Sequence, residues 1–213
     1  MPPDWNCKTI HWGVDTDLFS PLEESESSKR AREQVRDRYG FNHDDPVLLA
    51  VGRLAARKGY STLLRAFRIV IKEIPDAKLL IVGRGGMKKN LYKYATKWKF
   101  KPSIRIESSL DFNELSTVYN SCDLTVFPSY YEGQGLIPLE SMSSAVPVIA
   151  TNCGPIPEMV DDEVGSLFEL GDEVDLARKI IGELSQRDRL LEKGKKGRQR
   201  VVDRFSFSNS CIK

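Results

Sequence analysis

Residues 46–53 read PVLLAVGR, a continuous aliphatic run that ends in a Gly-Arg pair. A second run of this kind, AKLLIVG, occupies residues 77–83. Near-continuous Val, Ile and Leu runs are typical of strands that are buried on both faces of a parallel sheet. The stretch between the two runs, Gly59–Glu73, repeats its apolar residues at helical spacing. Together these segments predict a strand, a crossover helix and a parallel strand.

The same alternation continues along the chain and predicts a doubly wound, Rossmann-like α/β fold. The predicted strands are Pro46–Gly52, Ala77–Gly83, Ile104–Glu107, Leu124–Pro128 and Pro147–Thr151. Shorter helices are predicted over Asn113–Cys122 and Leu136–Ser144. Outside the alternation, the predicted helices are Ser28–Tyr39, capped by Ser28 and closed by Gly40, then Asp172–Gln186 and Arg187–Arg204.

Composition narrows the class of protein and its partners. The 213 residues include 32 basic and 30 acidic side chains, a balance that argues against nucleic acid as a partner of the whole chain. The four cysteines are widely spaced and there are two histidines, so a Cys/His zinc site has few ligands. Scattered cysteines, the lack of a signal-peptide pattern at the start and the absence of a run of about 20 apolar residues predict a cytoplasmic location.

The loop after the first strand carries two cations. It reads GRLAARKG at residues 52–59, which matches neither the dinucleotide fingerprint nor the P-loop. In a doubly wound sheet ligands bind beyond the carboxyl ends of the strands. There, a planar guanidinium on Arg53 and an ammonium on Lys58 suit a diphosphate. The alternative is that both are solvated surface cations.

The loop after the fourth strand joins glycines to carboxylates. Gly133 and Gly135 precede a predicted helix, whose N-terminus favours a phosphate. Glu140 lies four residues after Leu136, so it is expected to be half buried, where a sugar diol would satisfy its oxygens. Glu132 could accept hydroxyls from a second sugar. The alternative is a capping Glu132 and a helix-surface Glu140.

A further Gly/Pro-rich loop, residues 152–158, could close over the same crevice, and the alternative is an ordinary strand-to-helix turn. The sequence Asp15-Thr16-Asp17 forms a D-x-D pattern, which can bind a metal ion. Here it precedes the sheet, far in sequence from the phosphate loops, and we interpret it as a turn or a cap.

Four segments together resemble one family. They are G-R-x4-K-G from Gly52, L-L-I-V-G-R-G from Leu79, F-P-S-x-x-E-G-x-G-L-x-P-L-E from Phe127, and P-V-I-A-T-x-x-G-x-I-P-E from Pro147. This order resembles the donor-binding domain of the retaining family-4, or group 1, glycosyltransferases, which have the two-domain GT-B fold. The resemblance runs from Gly13 to about Phe205.

The resemblance implies a role for each matching position. Arg53 and Lys58 would hold the donor diphosphate and stabilise the leaving nucleotide, Glu132 would hold the transferred sugar, and these three would be the catalytic set. Glu140 would bind the ribose hydroxyls. The implied donor-binding set is Gly52, Arg53, Lys58, Glu132, Gly133, Gln134, Gly135, Leu136 and Glu140. No metal or cofactor is implied, and the nucleotide-diphosphate sugar is the donor substrate.

The resemblance also implies how the chain is organised. Residues 1–24 would follow an interdomain hinge, 25–186 would form the nucleotide-sugar domain, and 187–213 would hold C-terminal helices of which the last is truncated. An N-terminal acceptor domain is missing, which suggests a fragment or a split gene. Gln134 stands where an aromatic residue is usual, and Ser141 and Ala145 replace the usual Ala and Gly, departures that bear on the identity of the sugar.

The predicted function is retaining transfer of a hexose from a nucleotide-diphosphate sugar to a sugar, a glycan or a lipid-linked sugar. The alternatives are a non-catalytic nucleotide-sugar-binding module and an epimerase or phosphorylase-like relative of the same fold. The donor base, the sugar and the acceptor are not readable from the sequence.

Residues 87–101 add a hypothesis of peripheral membrane contact. They hold six lysines and no acid, with Leu91, Tyr94, Ala95 and Trp98 on one helical stripe. This pattern fits a basic amphipathic helix on an anionic surface. It also fits a crossover helix that packs its stripe on the sheet, and the position between two strands favours this second interpretation.

Overall fold

In the computed structural model, residues 12–100 and 102–208 are described. Within these ranges the chain forms one six-stranded sheet with seven α-helices. The strands are β1 Val47–Val51, β2 Lys78–Val82, β3 Ile104–Glu107, β4 Leu124–Phe127, β5 Val148–Thr151 and β6 Gly165–Phe168. The helices are α1 Glu26–Tyr39, α2 Tyr60–Glu73, α3 Lys88–Lys97, α4 Phe112–Asn120, α5 Leu136–Ser143, α6 Glu173–Leu184 and α7 Arg187–Arg204.

All neighbouring strands of the sheet run parallel, in the order β3-β2-β1-β4-β5-β6. This order reverses direction between β1 and β4, which makes that point the switch of a doubly wound sheet. The predicted α/β Rossmann-like fold is confirmed.

Adjacent residues of each strand enter opposite cores. Leu48 packs in one apolar cluster with α2, α3 and α6, whereas Leu49 packs in a second cluster with α1, α4, α5 and α7. The side chains of a strand alternate between its faces, so a strand that is apolar at every position requires helices on both sides. The aliphatic runs are therefore explained by this double cover.

The structure corrects two details of the predicted elements. A sixth strand, β6, pairs with β5 at the sheet edge, although its sequence, GSLF, is too short and polar to stand out. Helix α1 begins at Glu26 and is capped by Ser25, whose Oγ accepts a hydrogen bond from the amide of Ser28, so Ser28 was the wrong cap. Gly40 closes α1 as predicted, in the left-handed region with φ 67°.

The segment before α1 packs on the same body. Val14 pairs with Ser206 in a parallel bridge, and its amide donates to the carbonyl of Phe205 at 2.8 Å. Arg198 on α7 donates to the carbonyls of Thr16 and Phe19. The first described residues and the end of α7 thus lie side by side. No helix within the described ranges has the length and apolar character that spanning a membrane requires.

Candidate donor site

Two loops meet at the carboxyl ends of β1 and β4. The Tyr130 amide donates to the carbonyl of Arg57 at 2.8 Å, which joins the loop after β4 to the loop after β1. Gly59 has φ 67°, and a Cβ there would lie 1.8 Å from the carbonyl oxygen of Pro128. Only glycine fits this approach, because a side chain would collide with the backbone of the other loop. The sequence therefore fixes the two loops against each other.

An ion pair forms the centre of this junction. The Lys58 ammonium contacts Oε1 of Glu132, and the two side chains are 14% and 13% exposed. The hydroxyl of Ser129 donates to the same oxygen at 2.8 Å, and the ammonium lies 5.5 Å from the centre of the Phe127 ring. The structure thus brings together two residues of the predicted catalytic set. Sequence reasoning placed both in the site but did not predict that they pair.

The third member of that set, Arg53, does not take part in this ion pair. Its side chain is exposed and, among the residues that the structure describes, forms no ion pair. It lines a cavity of about 430 Å³ at the carboxyl ends of β1, β2 and β3, which Gly52, Gly83 and Arg84 also line. The cavity is open to solvent, and both Arg53 and Arg84 lie on its lining.

Sequence reasoning missed Arg84, Ser108 and Ser109, which also line this cavity. Arg84 follows β2 in the same way that Arg53 follows β1, each after a glycine. A Cβ on Gly83 would lie 1.9 Å from the carbonyl oxygen of Gly52, so the two strand ends are in close contact. The shared Gly-Arg ending was the signal that could have identified Arg84.

The N-terminus of α5 opens onto the loop after β4. Gly135 precedes it with φ 88°, and a Cβ there would lie 2.8 Å from Cδ1 of Ile156. No side chain in the described part of the chain caps this helix, so the amides of Leu136 and Ile137 are available to an anion. A Cβ on Gly133 would meet nothing within 4 Å, so the backbone there is open to a ligand.

Glu140 lies one turn into α5 and is largely buried. The hydroxyl of Tyr119 donates to its Oε2 at 2.9 Å. Burial raises the pKa of the Glu140 carboxyl, and the Tyr119 hydrogen bond offsets part of that effect. Burial also raises the pKa of Tyr119 well above its usual value. The prediction that Glu140 cannot face solvent freely is confirmed, but nothing in the sequence identified Tyr119 as its partner.

The side chain of Gln134 forms two hydrogen bonds with the backbone of Trp12. Its Oε1 accepts from the amide of Trp12 at 2.7 Å, and its Nε2 donates to the Trp12 carbonyl at 2.7 Å. The amide of Gln134 therefore faces the N-terminal segment, and its role in donor binding stays a prediction. Ile10 and His11, which belong to the predicted post-hinge segment of residues 1–24, lie outside the described residues.

The loop after β5 packs against the loop after β4. The thiol of Cys153 donates to the carbonyl of Ser129 at 3.5 Å, and Ile156 covers Gly135. Asp15 behaves as predicted for a turn, since its carboxylate accepts from the amides of Asp17 and Leu18. The D-x-D pattern therefore shapes a turn.

Comparison with known proteins identifies the family. The model of the family described as glycosyl transferases group 1 matches residues 31–200. The chain is 30% identical over 207 residues to D-inositol 3-phosphate glycosyltransferase of Corynebacterium kroppenstedtii, covering 93% of this chain and 45% of the relative. It is also 30% identical over 202 residues to a GDP-mannose-dependent monoacylated alpha-(1-6)-phosphatidylinositol monomannoside mannosyltransferase of Corynebacterium glutamicum, covering 92% and 51%.

Among the solved structures, one neighbour covers most of this chain and almost all of its own length. It is the C-terminal domain of a glycosyl transferase group 1 family protein from Francisella tularensis, with 27% identity and a TM-score of 0.77, covering 91% of this chain and 99% of that one. The chain spans about half the length of the curated relatives that it matches. It belongs to the glycosyl transferases of group 1 and has the Rossmann-like architecture of one half of a GT-B enzyme.

Proposed function

We propose that this chain is the donor-binding domain of a retaining, family-4 glycosyltransferase that moves a hexose from a nucleotide-diphosphate sugar to an acceptor. The observation that carries the proposal is the pairing of Lys58 with Glu132 beside an uncapped helix N-terminus. A cation and free amides at one place suit the anionic diphosphate of such a donor, which is also its leaving group, and the carboxylate suits the sugar hydroxyls.

The proposed chemistry uses charges that the chain itself supplies. When the bond between the anomeric carbon and the diphosphate oxygen breaks, its electron pair stays on that oxygen. The anomeric carbon bonds instead to the acceptor hydroxyl oxygen, with retention, and the hydroxyl proton passes to the departing diphosphate. Lys58, Arg53 and the amides at the start of α5 stabilise that charge, a role that a metal ion fills in other enzymes. Glu132 accepts hydroxyls of the sugar after Lys58 turns to the diphosphate. Glu140 accepts the two hydroxyls of the ribose.

The acceptor side of the crevice needs a second domain. The curated relatives are about twice as long as this chain, which supports an acceptor domain that lies outside these 213 residues. One relative is named for an inositol phosphate acceptor and another for a phosphatidylinositol mannoside. These names support an acceptor of the polyol, glycan or lipid-linked sugar class, and a site of action at a membrane face.

Calorimetry with ADP, GDP and UDP tests the proposal. We expect at least one of them to bind, and Arg53→Ala and Lys58→Ala each to weaken that binding at least tenfold, because a charge-assisted hydrogen bond contributes about 1.5–3 kcal/mol. Lys195→Ala is the matched control, since Lys195 is exposed on α7 away from the crevice. The chain alone should bind donor without transferring sugar, because transfer requires both reactants in one closed crevice.

Two results would contradict the proposal. Unchanged nucleotide affinity in both Arg53→Ala and Lys58→Ala would remove the diphosphate assignment. Steady sugar transfer by this chain alone would show that no second domain is needed. Tight donor binding without transfer agrees with the proposal.

A further inference from the structure

Basic residues are concentrated in one segment of the chain. Residues 77–106 contain nine lysines and arginines and no acidic residue, whereas the other residues hold 23 basic and 30 acidic side chains. The whole-chain charge of +2 therefore conceals a strongly basic segment in an otherwise acidic protein. The proposed donor site accounts for none of these nine residues except Arg84, which lines the cavity.

Helix α3 displays this charge on its outer surface. Leu91 and Ala95 are buried against the sheet, which confirms the interpretation of α3 as a crossover helix. Lys89, Lys93 and Lys97 are exposed at spacings of four residues, so they form one stripe about 12 Å long. None of the three forms an ion pair with any residue that the structure describes.

This arrangement is unfavourable for an isolated helix. Like charges four residues apart destabilise a helix by about 0.2–0.5 kcal/mol per pair. Helix α3 also lacks an acidic residue in its first turn and, as far as the described residues show, a side-chain cap at Met87. By contrast, α1 and α6 each carry acids in the first turn and have side-chain caps at Ser25 and Asp172. An anionic partner would remove the repulsion that α3 otherwise carries.

Aromatic residues beside the lysines indicate what kind of partner this is. Tyr92 and Tyr94 are 48% and 37% exposed, and Tyr94 stacks on Trp98 at 5.1 Å between ring centres. Arg68 of α2 lies 5.8 Å from the Trp98 ring centre and extends the basic surface. Rings with an apolar body and a polar edge, next to lysines, are typical of the boundary between lipid headgroups and acyl chains.

We propose that this surface, defined as Arg68, Lys89, Lys93, Lys97 and Lys99 and called the basic face, binds an anionic lipid bilayer. The binding is electrostatic adsorption, because the apolar side of α3 is occupied by the sheet and cannot enter the bilayer. It is independent of the proposed donor chemistry, since no residue of the basic face lines the crevice. Clusters of four to eight basic residues are sufficient for such adsorption.

Co-sedimentation with vesicles tests the inference on the 213-residue chain. Vesicles of phosphatidylcholine with phosphatidylglycerol should capture it at low salt, whereas pure phosphatidylcholine vesicles should not. Each lysine near an anionic surface strengthens binding about fivefold, so replacing Lys89, Lys93 and Lys97 with Gln should weaken it roughly a hundredfold. Raising the ionic strength from about 0.01 M to about 0.15 M should also release the protein, because the Debye length falls from about 30 Å to about 8 Å.

A matched triple variant separates the basic face from total charge. Lys29, Lys195 and Lys196 are exposed on α1 and α7, and their replacement with Gln removes the same three charges. This control should bind vesicles much more tightly than the Lys89/Lys93/Lys97 variant. Thermal unfolding of both variants checks that they fold.

Several outcomes would overturn the inference. They are an unmodified chain that stays in the supernatant with anionic vesicles, equal capture by neutral vesicles, and equal losses in the two triple variants. Capture by single-stranded RNA but not by anionic vesicles would assign the basic face to another polyanion. If the unmodified chain binds anionic vesicles but no nucleoside diphosphate, the result counts against the proposed donor site and leaves the basic-face inference in place.

Discussion

The loop before α5 and the helix itself each hold a carboxylate, and the two carboxylates have opposite surroundings. Glu132 in the loop is matched by the Lys58 ammonium and the Ser129 hydroxyl. Glu140 in the helix has the hydroxyl of Tyr119 as its one recorded side-chain donor among the described residues, and burial raises its pKa. A ligand at Glu132 must therefore replace an internal partner, whereas a ligand at Glu140 adds donors to an under-satisfied group.

Because of this difference, the two carboxylates contribute to the free energy of donor binding in different ways. At Glu132 the protein gives up an ion pair when donor binds, so the net gain is the surplus of the new contacts over the old ones. At Glu140 the burial cost is already present in the empty protein, and hydroxyl donors would reduce it. Glu132 is therefore suited to selecting the correct sugar. Glu140 is suited to adding affinity for the ribose, which every nucleotide-sugar donor contains.

The largest expected effect is on stability, in Lys58→Ala. Removing the ammonium leaves Glu132 mostly buried with only the Ser129 hydroxyl, and we expect a loss of about 2 kcal/mol in the free energy of unfolding, measured by chemical denaturation. The double variant Lys58→Ala/Glu132→Gln should recover part of that loss, because no unpaired charge remains. A single variant as stable as the unmodified chain would show that the pair contributes little before donor binds.

Some features of this site could be predicted from the sequence and others could not. The strand ends and the glycines were predictable, because aliphatic runs and Gly/Pro-rich turns are local signals. The Lys58–Glu132 contact joins residues 74 positions apart and depends on the close approach at Gly59, a tertiary constraint that no local pattern encodes. Tyr119 was hidden for the same reason: it lies on α4 and reaches α5 across the core.

The missed strand β6 has a related explanation. Its four residues include Gly165, where a Cβ would lie 2.1 Å from the carbonyl oxygen of Val148, and Ser166, whose hydroxyl meets the buried carboxylate of Glu183. Glycine is required by the packing and serine by a polar partner. Both residues lower the apparent strand propensity of the segment. The strand is therefore specified by its neighbours more than by its own residues.

A second prediction separates the two carboxylates by ligand. If Glu140 holds the ribose, Glu140→Gln should weaken the binding of plain nucleoside diphosphate about tenfold, the effect of losing a hydrogen bond to a charged group. Glu132→Gln should leave that affinity within about twofold and should weaken only the sugar-bearing donor. Calorimetry with both ligands on both variants measures this, and equal effects of each variant on the two ligands would contradict the assignment.

The smallest effect, and the most specific to Glu140, is a pH dependence of stability. Burial raises the pKa of this carboxyl in the folded chain above its usual value of about 4.3, so the folded protein binds the proton more tightly than the unfolded one. The contribution of Glu140 to stability is therefore most favourable below about pH 4 and declines as pH rises through the folded-state pKa.

Glu140→Gln does not titrate, so its stability relative to the unmodified chain should increase as pH rises from about 4 and should level off above the folded-state pKa of Glu140. Denaturation midpoints at several pH values measure that difference. Tyr119→Phe serves as the control, because losing the hydroxyl donor should raise the pKa of Glu140 further and make the decline of that variant with pH steeper. If the stability difference between Glu140→Gln and the unmodified chain stays constant between pH 4 and pH 7, the Glu140 carboxylate is well solvated. Glu140 and Glu132 would then not differ in how well their charges are satisfied.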